Sequence, residues 1–289
     1  MKARDRWAEW LLERRFGGEP AQRERFLEDV AALRDNVLDN AGELAGATVL
    51  DVGCGDGLIA FGALERGAAE VLFSDVSQDL LDESRRIASE LGVLDRCRFL
   101  RAPAEDLAPL GNSSVDVVTT RSVLIYVKDK RRALQEFARV LRPEGRLSLF
   151  EPINAYFPVD RDRLVFYDAS ELRRIVDRVR AVYERIQPPG EDPMLDFDEH
   201  DLAQLAEEVG FPEVHVVLRA DVQPAEPRSW EGFVNTSGNP NIPTLAEAMD
   251  EALTAEERQR LVEHVRPLVQ TGEGRSRMAS AYLWARKGT

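Results

Sequence analysis

Short apolar runs separated by amphipathic segments limit the folds open to this chain more than any other feature of the sequence. Each run has the length of a β-strand, and the sequence between consecutive runs has the apolar spacing of a helix. The runs are TVLDV (48–52), EVLFS (70–74), CRFL (97–100), VDVVTT (115–120) and RLSLFE (146–151). Strands that alternate with helices predict an α/β fold with a parallel sheet covered on both faces.

The segments between the runs carry helix signals. Apolar residues recur at helical spacing from Ala21 to Ala41. The segment 77–92 closes on Gly92, which predicts a helix end there. The segment 129–141 is followed by RPEG (142–145), which predicts a turn between that helix and the next strand.

After Glu151 the alternation is interrupted twice. Residues 152–168 have the pattern of a mixed loop with exposed aromatics, and a helix near 170–186 and a Pro-rich linker (187–198) follow. A helix over 199–209 and a strand over 214–220 resume the pattern before a second insertion. We predict four regions: an N-terminal helical lid segment (1–40), a core (41–222) with an insertion over 152–197, a helical lid or substrate insertion (223–275), and a final core strand (276–289).

Charge and composition exclude several classes of partner. The 289 residues carry a net charge of −14, which disfavours a partner made mainly of phosphate backbone. No apolar run approaches the length of a bilayer span, and the N-terminus lacks the apolar core of a signal peptide. The few cysteines (Cys54, Cys97) and histidines (His200, His215, His264) lack metal-ligand spacing. We expect a cytoplasmic protein with no bound metal, no membrane partner and no nucleic-acid partner.

The string VLDVGCGDG (49–57) places glycines directly after the first strand. Glycine lets the main chain approach a ligand closely, and the helix that follows directs the positive end of its dipole at the same point. Taken alone, the string is a weak signal because tight turns also require glycine. Asp75 ends the second strand, where an acid in a nucleotide-binding sheet accepts hydrogen bonds from ribose hydroxyls. The structural alternative for Asp75 is an acid that precedes the helix beginning near Ser77.

With these motifs in order, the sequence resembles the class I S-adenosylmethionine-dependent methyltransferases, and in particular bacterial enzymes that methylate small molecules. The resemblance rests on VLDVGCGDG, VLFSDVS, APAEDL, VDVVTTRSVLIYV and ALQEFARVLRPEGRLSLFEP, and covers about Ala41 to Arg219 plus the final strand. It implies a Rossmann-like sheet of seven strands, the last antiparallel, with helical lid insertions. It also implies S-adenosyl-L-methionine as the cofactor and a small-molecule acceptor, with secondary metabolites as one candidate class.

The resemblance also implies roles for individual residues. The methionine part of the cofactor would lie beside Asp51, Gly53, Cys54 and Gly55. Asp75 would bind the ribose, and Val76, Ala104 and Glu105 would surround the adenine. Arg121 and Ser122 would lie beside the sulfonium and the amino group.

Two positions depart from expected patterns. Family members often carry an acid where this chain has Pro103, so the group that recognises the adenine is left open, with Glu105 and main-chain groups as the candidates. Leu58 stands where nicotinamide enzymes have their third glycine, which disfavours an oxidoreductase. A nicotinamide-dependent oxidoreductase and a non-catalytic S-adenosylmethionine-binding protein remain as alternatives.

The acceptor site is expected in segments that interrupt the alternation. We predict Glu151 and Tyr126 as catalytic candidates, with Glu151 as a general base. The substrate-binding candidates are Asn154, Tyr156, Trp230, Phe233 and Asn235. The alternative for the aromatics is ordinary packing of the insertion helices. The N-terminal segment and residues 223–274 are expected to form a mobile lid over the cofactor. The sequence leaves the oligomeric state open.

Overall fold

The computed structural model describes residues 4–17 and 20–289, and for residues 20–29 it describes the main chain only. The described chain forms two compact units. We name them the core unit (27–154, 197–219 and 280–289) and the helical unit (up to residue 26, 155–196 and 220–279).

The strands are β1 (Thr48–Val52), β2 (Glu70–Asp75), β3 (Cys97–Arg101), β4 (Val115–Arg121), β5 (Leu141–Pro152), β6 (Arg163–Leu164), β7 (Tyr167–Asp168), β8 (Glu213–Pro224) and β9 (Arg275–Arg286). Within the described residues, seven of them form one sheet in the order β3-β2-β1-β4-β5-β9-β8. Strands β1 to β5 are parallel, and β9 is antiparallel to β5. The predicted Rossmann-like sheet with an antiparallel last strand is confirmed.

The α-helices are α1 (Arg6–Glu9), α2 (Pro20–Asn40), α3 (Leu58–Glu65), α4 (Gln78–Glu90), α5 (Lys130–Val140), α6 (Arg173–Ile186), α7 (Glu199–Glu208), α8 (Trp230–Val234), α9 (Leu245–Ala252) and α10 (Ala255–Thr271). Ser77 caps α4 by accepting a hydrogen bond from the Leu80 amide, and Gly92 follows the helix at a φ of 69°. In the described residues, no helix is both long enough and apolar enough to span a bilayer.

One face of the core-unit sheet packs on α2 and α3. Val49 and Phe73 point from this face into an apolar cluster that includes Val37 and Ile59. Because every second residue of a strand lies on the same face, Asp51 belongs to this face too. Its position at the carboxyl end of β1 places a carboxylate at the border of an apolar layer.

The turn expected at RPEG (142–145) does not precede the strand but lies inside β5, between the two stretches of β5 that pair with β4. Strand β5 begins at Leu141, directly after α5, and its pairing with β4 shifts register between Val115 and Val117. Glu144 absorbs the irregularity at a φ of 63°. The step from Val115 to Val117 on β4 faces the step from Leu141 to Arg146 on β5, so β5 carries three extra residues here, and no turn signal reveals that the chain pairs on both sides of them.

Residues 152–168 also differ from the expected open loop. Strands β6 and β7 form an antiparallel hairpin, and the Tyr167 ring is buried against Phe233 in an edge-to-face contact. Tyr156 is exposed, as the sequence indicates. The hairpin, α6, α8, α9 and α10 enclose the apolar cluster of the helical unit.

The first described residues, 4–17, pack within the helical unit. Trp10 donates from Nε1 to the Ser237 carbonyl at 2.9 Å, and the Ser237 amide donates to the Arg14 carbonyl at 3.2 Å. Arg14 also pairs with Glu247 of α9. Trp10 and Arg14 are therefore linked to the 223–274 insertion by hydrogen bonds and an ion pair.

Candidate functional site

The chain leaves β1 through three glycines in the left-handed region, with φ of 63° at Gly53, 56° at Gly55 and 84° at Gly57. Residues with a Cβ rarely adopt this conformation, so the turn requires glycine. A Cβ on Gly53 would also lie 2.2 Å from the Cγ2 of Val123. The turn after β4 therefore packs directly on the main chain of the glycine turn.

Asp75 at the end of β2 holds this turn in place. Its Oδ2 accepts a hydrogen bond from the Gly55 amide at 2.9 Å, and its Oδ1 accepts one from the Ser77 amide at 2.9 Å. The Cys54 amide donates to the Ser74 carbonyl, which adds a second link between the turn and β2. These bonds place the carboxylate of Asp75 directly beside the glycine turn. The structure thus brings Asp75 to the predicted place, and ribose binding stays a prediction.

Asp51 is a buried carboxylate with one oxygen unused. Its Oδ1 accepts a hydrogen bond from the Thr119 hydroxyl at 2.9 Å. Among the described residues, Oδ2 has no hydrogen-bond partner. Burial raises the pKa of Asp51 to about 7, with the bond from Thr119 and the charge of Arg121 acting in the opposite direction. A cationic group beside Oδ2 would relieve this cost.

The predicted adenine side follows β2 and β3. The Val76 side chain is 40% exposed and offers an apolar surface next to Asp75, while Arg101 donates from Nε to its carbonyl at 3.1 Å. Ala104 is buried and Glu105 is half-buried. Pro103 is exposed and its ring offers no donor, so the departure noted in the sequence persists.

The turn after β4 begins at Ser122, whose φ is 55° and whose amide donates to the Phe150 carbonyl at 2.8 Å. A short 3₁₀-helix, Leu124–Tyr126, follows. Arg121 and Tyr126 are both half-buried. Arg121 and Ser122, which we predict to lie beside the sulfonium, are thus located where the main chain turns sharply.

Glu151 binds this turn rather than facing solvent. Its Oε1 accepts hydrogen bonds from the Val123 and Leu124 amides at 2.9 Å each, and its Oε2 accepts one from the Ile125 amide at 3.1 Å. The side chain is fully buried, and burial raises the pKa of Glu151 to about 7 against the lowering effect of these bonds and of Lys130. Its predicted role as a general base stays a prediction, while its contacts are those of a main-chain anchor.

The predicted acceptor residues fall in different surroundings. Asn154, Tyr156 and Asn235 are exposed. Trp230 and Phe233 are buried in the apolar cluster of the helical unit, with ring centroids 5.8 Å apart. These two aromatics therefore have the packing role that the sequence left as the alternative, and their substrate role stays a prediction.

The histidines lie outside the glycine-turn site. His215 stacks on Trp284, and the Nε2 of His264 lies 3.1 Å from the Asp168 carbonyl. His200 is exposed beside Asp198, whose carboxylate caps α7. These contacts are structural in kind.

Sequence patterns did not reveal two further residues of the site. Thr119 reaches Asp51 because β4 pairs with β1 in the register that places the two residues side by side. Ser84, a residue of α4, donates a hydrogen bond from its Oγ to the Gly55 carbonyl over 3.2 Å. Both contacts depend on tertiary register, for which the sequence offers no local signal.

An S-adenosyl group fits these residues. The unused oxygen of Asp51 suits an ammonium group, and the exposed surface of Val76 suits a flat apolar ring. Asp75 lies beside the turn of Gly53, Gly55 and Gly57, whose positive φ angles favour glycine. Two carboxylates and an apolar surface are therefore suited to a ligand that carries a cation, a diol and an aromatic base.

Comparison with known proteins gives the same assignment. Residues 50–149 match the methyltransferase domain family. A ubiquinone biosynthesis O-methyltransferase of Neisseria meningitidis is 34% identical over 130 residues, 45% of this chain and 54% of that enzyme. A tRNA 5-carboxymethoxyuridine methyltransferase of Escherichia coli is 39% identical over 101 residues, 35% of this chain and 38% of that enzyme. The chain thus spans about half or less of the length of these two relatives.

A longer match extends the likeness. A ubiquinone/menaquinone biosynthesis C-methyltransferase of Hahella chejuensis is 31% identical over 176 residues, which are 60% of this chain and 70% of that enzyme. A solved structure from Bacillus halodurans C-125, assigned as a methyltransferase, shares the fold with a TM-score of 0.55 at 20% identity, covering 89% of this chain and 99% of that one. Together with the glycine turn, these matches show that the chain belongs to the class I S-adenosylmethionine-dependent methyltransferases.

Proposed function

We propose that this chain transfers a methyl group from S-adenosyl-L-methionine to a small-molecule acceptor. The observation that carries the proposal is the Asp51 carboxylate, buried at the carboxyl end of β1 with Oδ2 unpartnered among the described residues. A carboxylate in this state is costly unless a ligand compensates it. It lies next to the glycine turn and Asp75, which are suited to bind the rest of the cofactor.

A small-molecule acceptor is favoured over RNA by charge. A net charge of −14 repels phosphate backbone, and RNA-binding surfaces require clustered basic residues. The E. coli relative is named for action on tRNA, and it matches over 38% of its length. The Neisseria and Hahella relatives are named for ubiquinone biosynthesis and match over 54% and 70% of their lengths. An acceptor from secondary metabolism is one candidate, and the cytoplasmic location expected from the sequence remains a prediction.

The bound cofactor supplies an activated methyl group on a sulfonium centre. The task of the protein is then to align donor and acceptor, which is worth up to about 7–11 kcal/mol in favourable cases. Asp51 would orient the amino group, and Asp75 would bind the ribose. The main chain of Gly53 and Gly55 allows close approach. Tyr126 remains our candidate for contacting the acceptor, because it follows the turn that begins at Ser122.

Acceptor choice is assigned to segments outside the sheet pattern. Asn154, Tyr156 and Asn235 are exposed and polar or amphipathic, so their side chains are free of the packing that holds Trp230 and Phe233. We expect them to affect the Michaelis constant for the acceptor. The lid closure predicted for the N-terminal and 223–274 segments stays part of this proposal.

The test is incubation of the protein with labelled S-adenosylmethionine and a cell extract, followed by identification of the labelled product by mass. The extract is divided into a low-molecular-mass filtrate and a retained fraction treated with or without ribonuclease. We expect label in a compound of the filtrate. Label confined to ribonuclease-sensitive material would contradict the small-molecule proposal.

Two variants make the assay specific. Asp75→Ala should abolish labelling, whereas Asp82→Asn, which removes an exposed acid from the same region, should leave it unchanged. A wild-type chain that binds S-adenosylmethionine but labels nothing would support a non-catalytic binding protein. Tight binding of a nicotinamide dinucleotide instead would support the oxidoreductase alternative.

A further inference from the structure

Three main-chain amides converge on one buried carboxylate just beyond β4. The Val123, Leu124 and Ile125 amides all donate to Glu151, at 2.9, 2.9 and 3.1 Å. Consecutive amides that point to one spot form a concave site for an anion, and in many proteins a ligand occupies such a site. Here the anion belongs to the chain itself.

The pairing of β4 and β5 brings the carboxylate to this position. Arg121 is the last β4 residue paired with β5, opposite Phe150, so Glu151 lies one residue beyond the end of the ladder. At that point Ser122 turns the main chain at a φ of 55°. A non-glycine residue in this region is strained by a small amount and needs support from its surroundings. The three hydrogen bonds to Glu151 supply that support.

A buried lysine completes the arrangement. Lys130 donates from Nζ to the Val127 carbonyl at 2.9 Å, and its ammonium lies 4.6 Å from the centre of the Phe197 ring. Its positive charge favours the ionised form of Glu151. Residues 123 to 127 are therefore held by a carboxylate at their amide end and by an ammonium at their carbonyl end.

The held turn touches the cofactor side directly. The Cγ2 of Val123 occupies the space in which a Cβ on Gly53 would lie, 2.2 Å away. A shift of Val123 would therefore leave the glycine turn unsupported on this side. The same shift would move Ser122 and Arg121, which the sequence assigns to the sulfonium and amino group.

We propose that Glu151 is a positioning residue of the cofactor site, whose carboxylate fixes the turn 122–126 and, through Val123, the conformation of Gly53. The proposal rests on the proposed function, since the site it supports is the S-adenosylmethionine site. It gives Glu151 a role distinct from proton transfer, because the oxygens that a general base would use are engaged by main-chain amides.

The test compares Glu151→Gln and Glu151→Asp with the wild-type chain. Glutamine keeps the shape but presents an NH₂ group to at least one of the three amide donors, whereas aspartate keeps the charge on a shorter side chain. The control is Asp116→Asn. Asp116 accepts a hydrogen bond from the Thr48 amide at 2.8 Å at the opposite, amino-terminal edge of the same strands.

Two measurements are made on each variant: the affinity for S-adenosylhomocysteine by calorimetry, and amide hydrogen exchange of the folded protein. For Glu151→Gln we expect affinity at least about tenfold weaker, which corresponds to about 1.4 kcal/mol, and faster exchange confined to residues 122–126 and 53–57. Glu151→Asp should recover part of the affinity. Asp116→Asn should speed exchange at Thr48 and leave affinity within about twofold of wild type.

Unchanged affinity or unchanged exchange at 122–126 in Glu151→Gln would overturn the proposal. So would equal loss of affinity in Asp116→Asn, since that would show a general effect of destabilisation. Faster exchange spread over all core strands would also contradict it. If the wild-type chain takes up no S-adenosylhomocysteine, the proposed function fails, and exchange at residues 122–126 and 53–57 alone decides whether Glu151 fixes the two turns.

Discussion

The carboxyl edge of the core-unit sheet and the interior of the helical unit differ in how they treat polar atoms. At the carboxyl edge, the Asp51 Oδ2, the Asp56 Oδ1 and the Ser74 Oγ are buried and lack hydrogen-bond partners among the described residues. The helical unit is organised around apolar side chains such as Trp230 and Val265. The first region concentrates three such atoms around the glycine turn, and the second consists mainly of apolar packing.

This difference predicts which substitutions change cofactor affinity and which change the free energy of unfolding. Buried polar atoms without partners lower the stability of the free protein, and a ligand that satisfies them recovers the cost on binding. Apolar packing contributes to stability whether or not a ligand is present. Substitutions at the carboxyl edge should therefore weaken cofactor binding without lowering stability to the same extent, or even while raising it, and substitutions inside the helical unit should lower stability while sparing affinity.

The largest expected effect is on stability, at Trp230. Trp230→Ala removes a ring packed against Phe233 and should lower the free energy of unfolding of the helical unit by about 3–5 kcal/mol. Tyr156→Ala, which removes an exposed aromatic of the same unit, should change it by less than about 0.5 kcal/mol. Denaturant titration measures both. Similar losses in the two variants would break the proposed contrast.

Next in size is the loss of affinity at Asp75. Asp75→Ala removes the acceptor expected for the ribose and the anchor of the Gly55 amide, so the dissociation constant for S-adenosylhomocysteine should rise by about 100-fold or more. Calorimetry measures it, and circular dichroism should show the fold retained. Unchanged affinity would remove Asp75 from the site.

Asp51 should show opposite effects on stability and affinity. Its pKa in the folded protein is about 7, above the ordinary value of 3.8 for an aspartate, so the folded state binds more protons between these two pH values. Stability is then lost as pH rises from about 4 to about 7, at roughly 1.4 kcal/mol per unit of pKa difference. Asp51→Asn removes this loss, so the stability of the variant relative to wild type should increase over that range.

The same variant should bind the cofactor less tightly, because an amide cannot compensate an ammonium group. Glu151 has its own raised pKa of about 7 and will keep part of the pH dependence in Asp51→Asn. Urea titrations at pH 5 and pH 8 on both proteins measure the effect. If the difference in stability between Asp51→Asn and wild type were the same at pH 5 and at pH 8, the burial cost assigned to Asp51 would be contradicted.

The smallest effect is expected at the start of α10. Thr254 and Glu257 form a capping box, with the Glu257 amide donating to the Thr254 hydroxyl and the Thr254 amide donating to the Glu257 carboxylate. Thr254→Ala should cost about 1 kcal/mol of stability. Cofactor affinity should stay within about twofold of wild type. A large loss of affinity would show that α10 contributes to binding.

Much of the fold was predictable because it depends on local signals. Apolar runs located β1 to β4 within one residue, and Gly92 located the end of α4 within two residues. The start of β5 was not predictable, since RPEG has turn chemistry and the strand begins before it only because Leu141 pairs with Val115 of β4. Tyr167 lies in the β6–β7 hairpin and is buried against Phe233, whereas its neighbours in sequence suggested a loop.

The candidate site divides in the same way. The glycines and Asp75 were visible because a left-handed main chain and a strand-end acid leave marks in the sequence. Thr119 and the three amides bound by Glu151 were not, because each contact joins residues more than 25 positions apart through strand register. Glu151 looked like a candidate base on residue type alone, and its partners became visible only in the fold.

The most direct test of the central claim is calorimetric titration of the wild-type chain with S-adenosylhomocysteine and, in parallel, with NAD⁺. We expect saturable binding of one S-adenosylhomocysteine per chain, its loss in Asp75→Ala, and no measurable binding of NAD⁺. Binding of NAD⁺ alone, or full binding of S-adenosylhomocysteine by Asp75→Ala, would show that the glycine turn and Asp75 do not form the cofactor site.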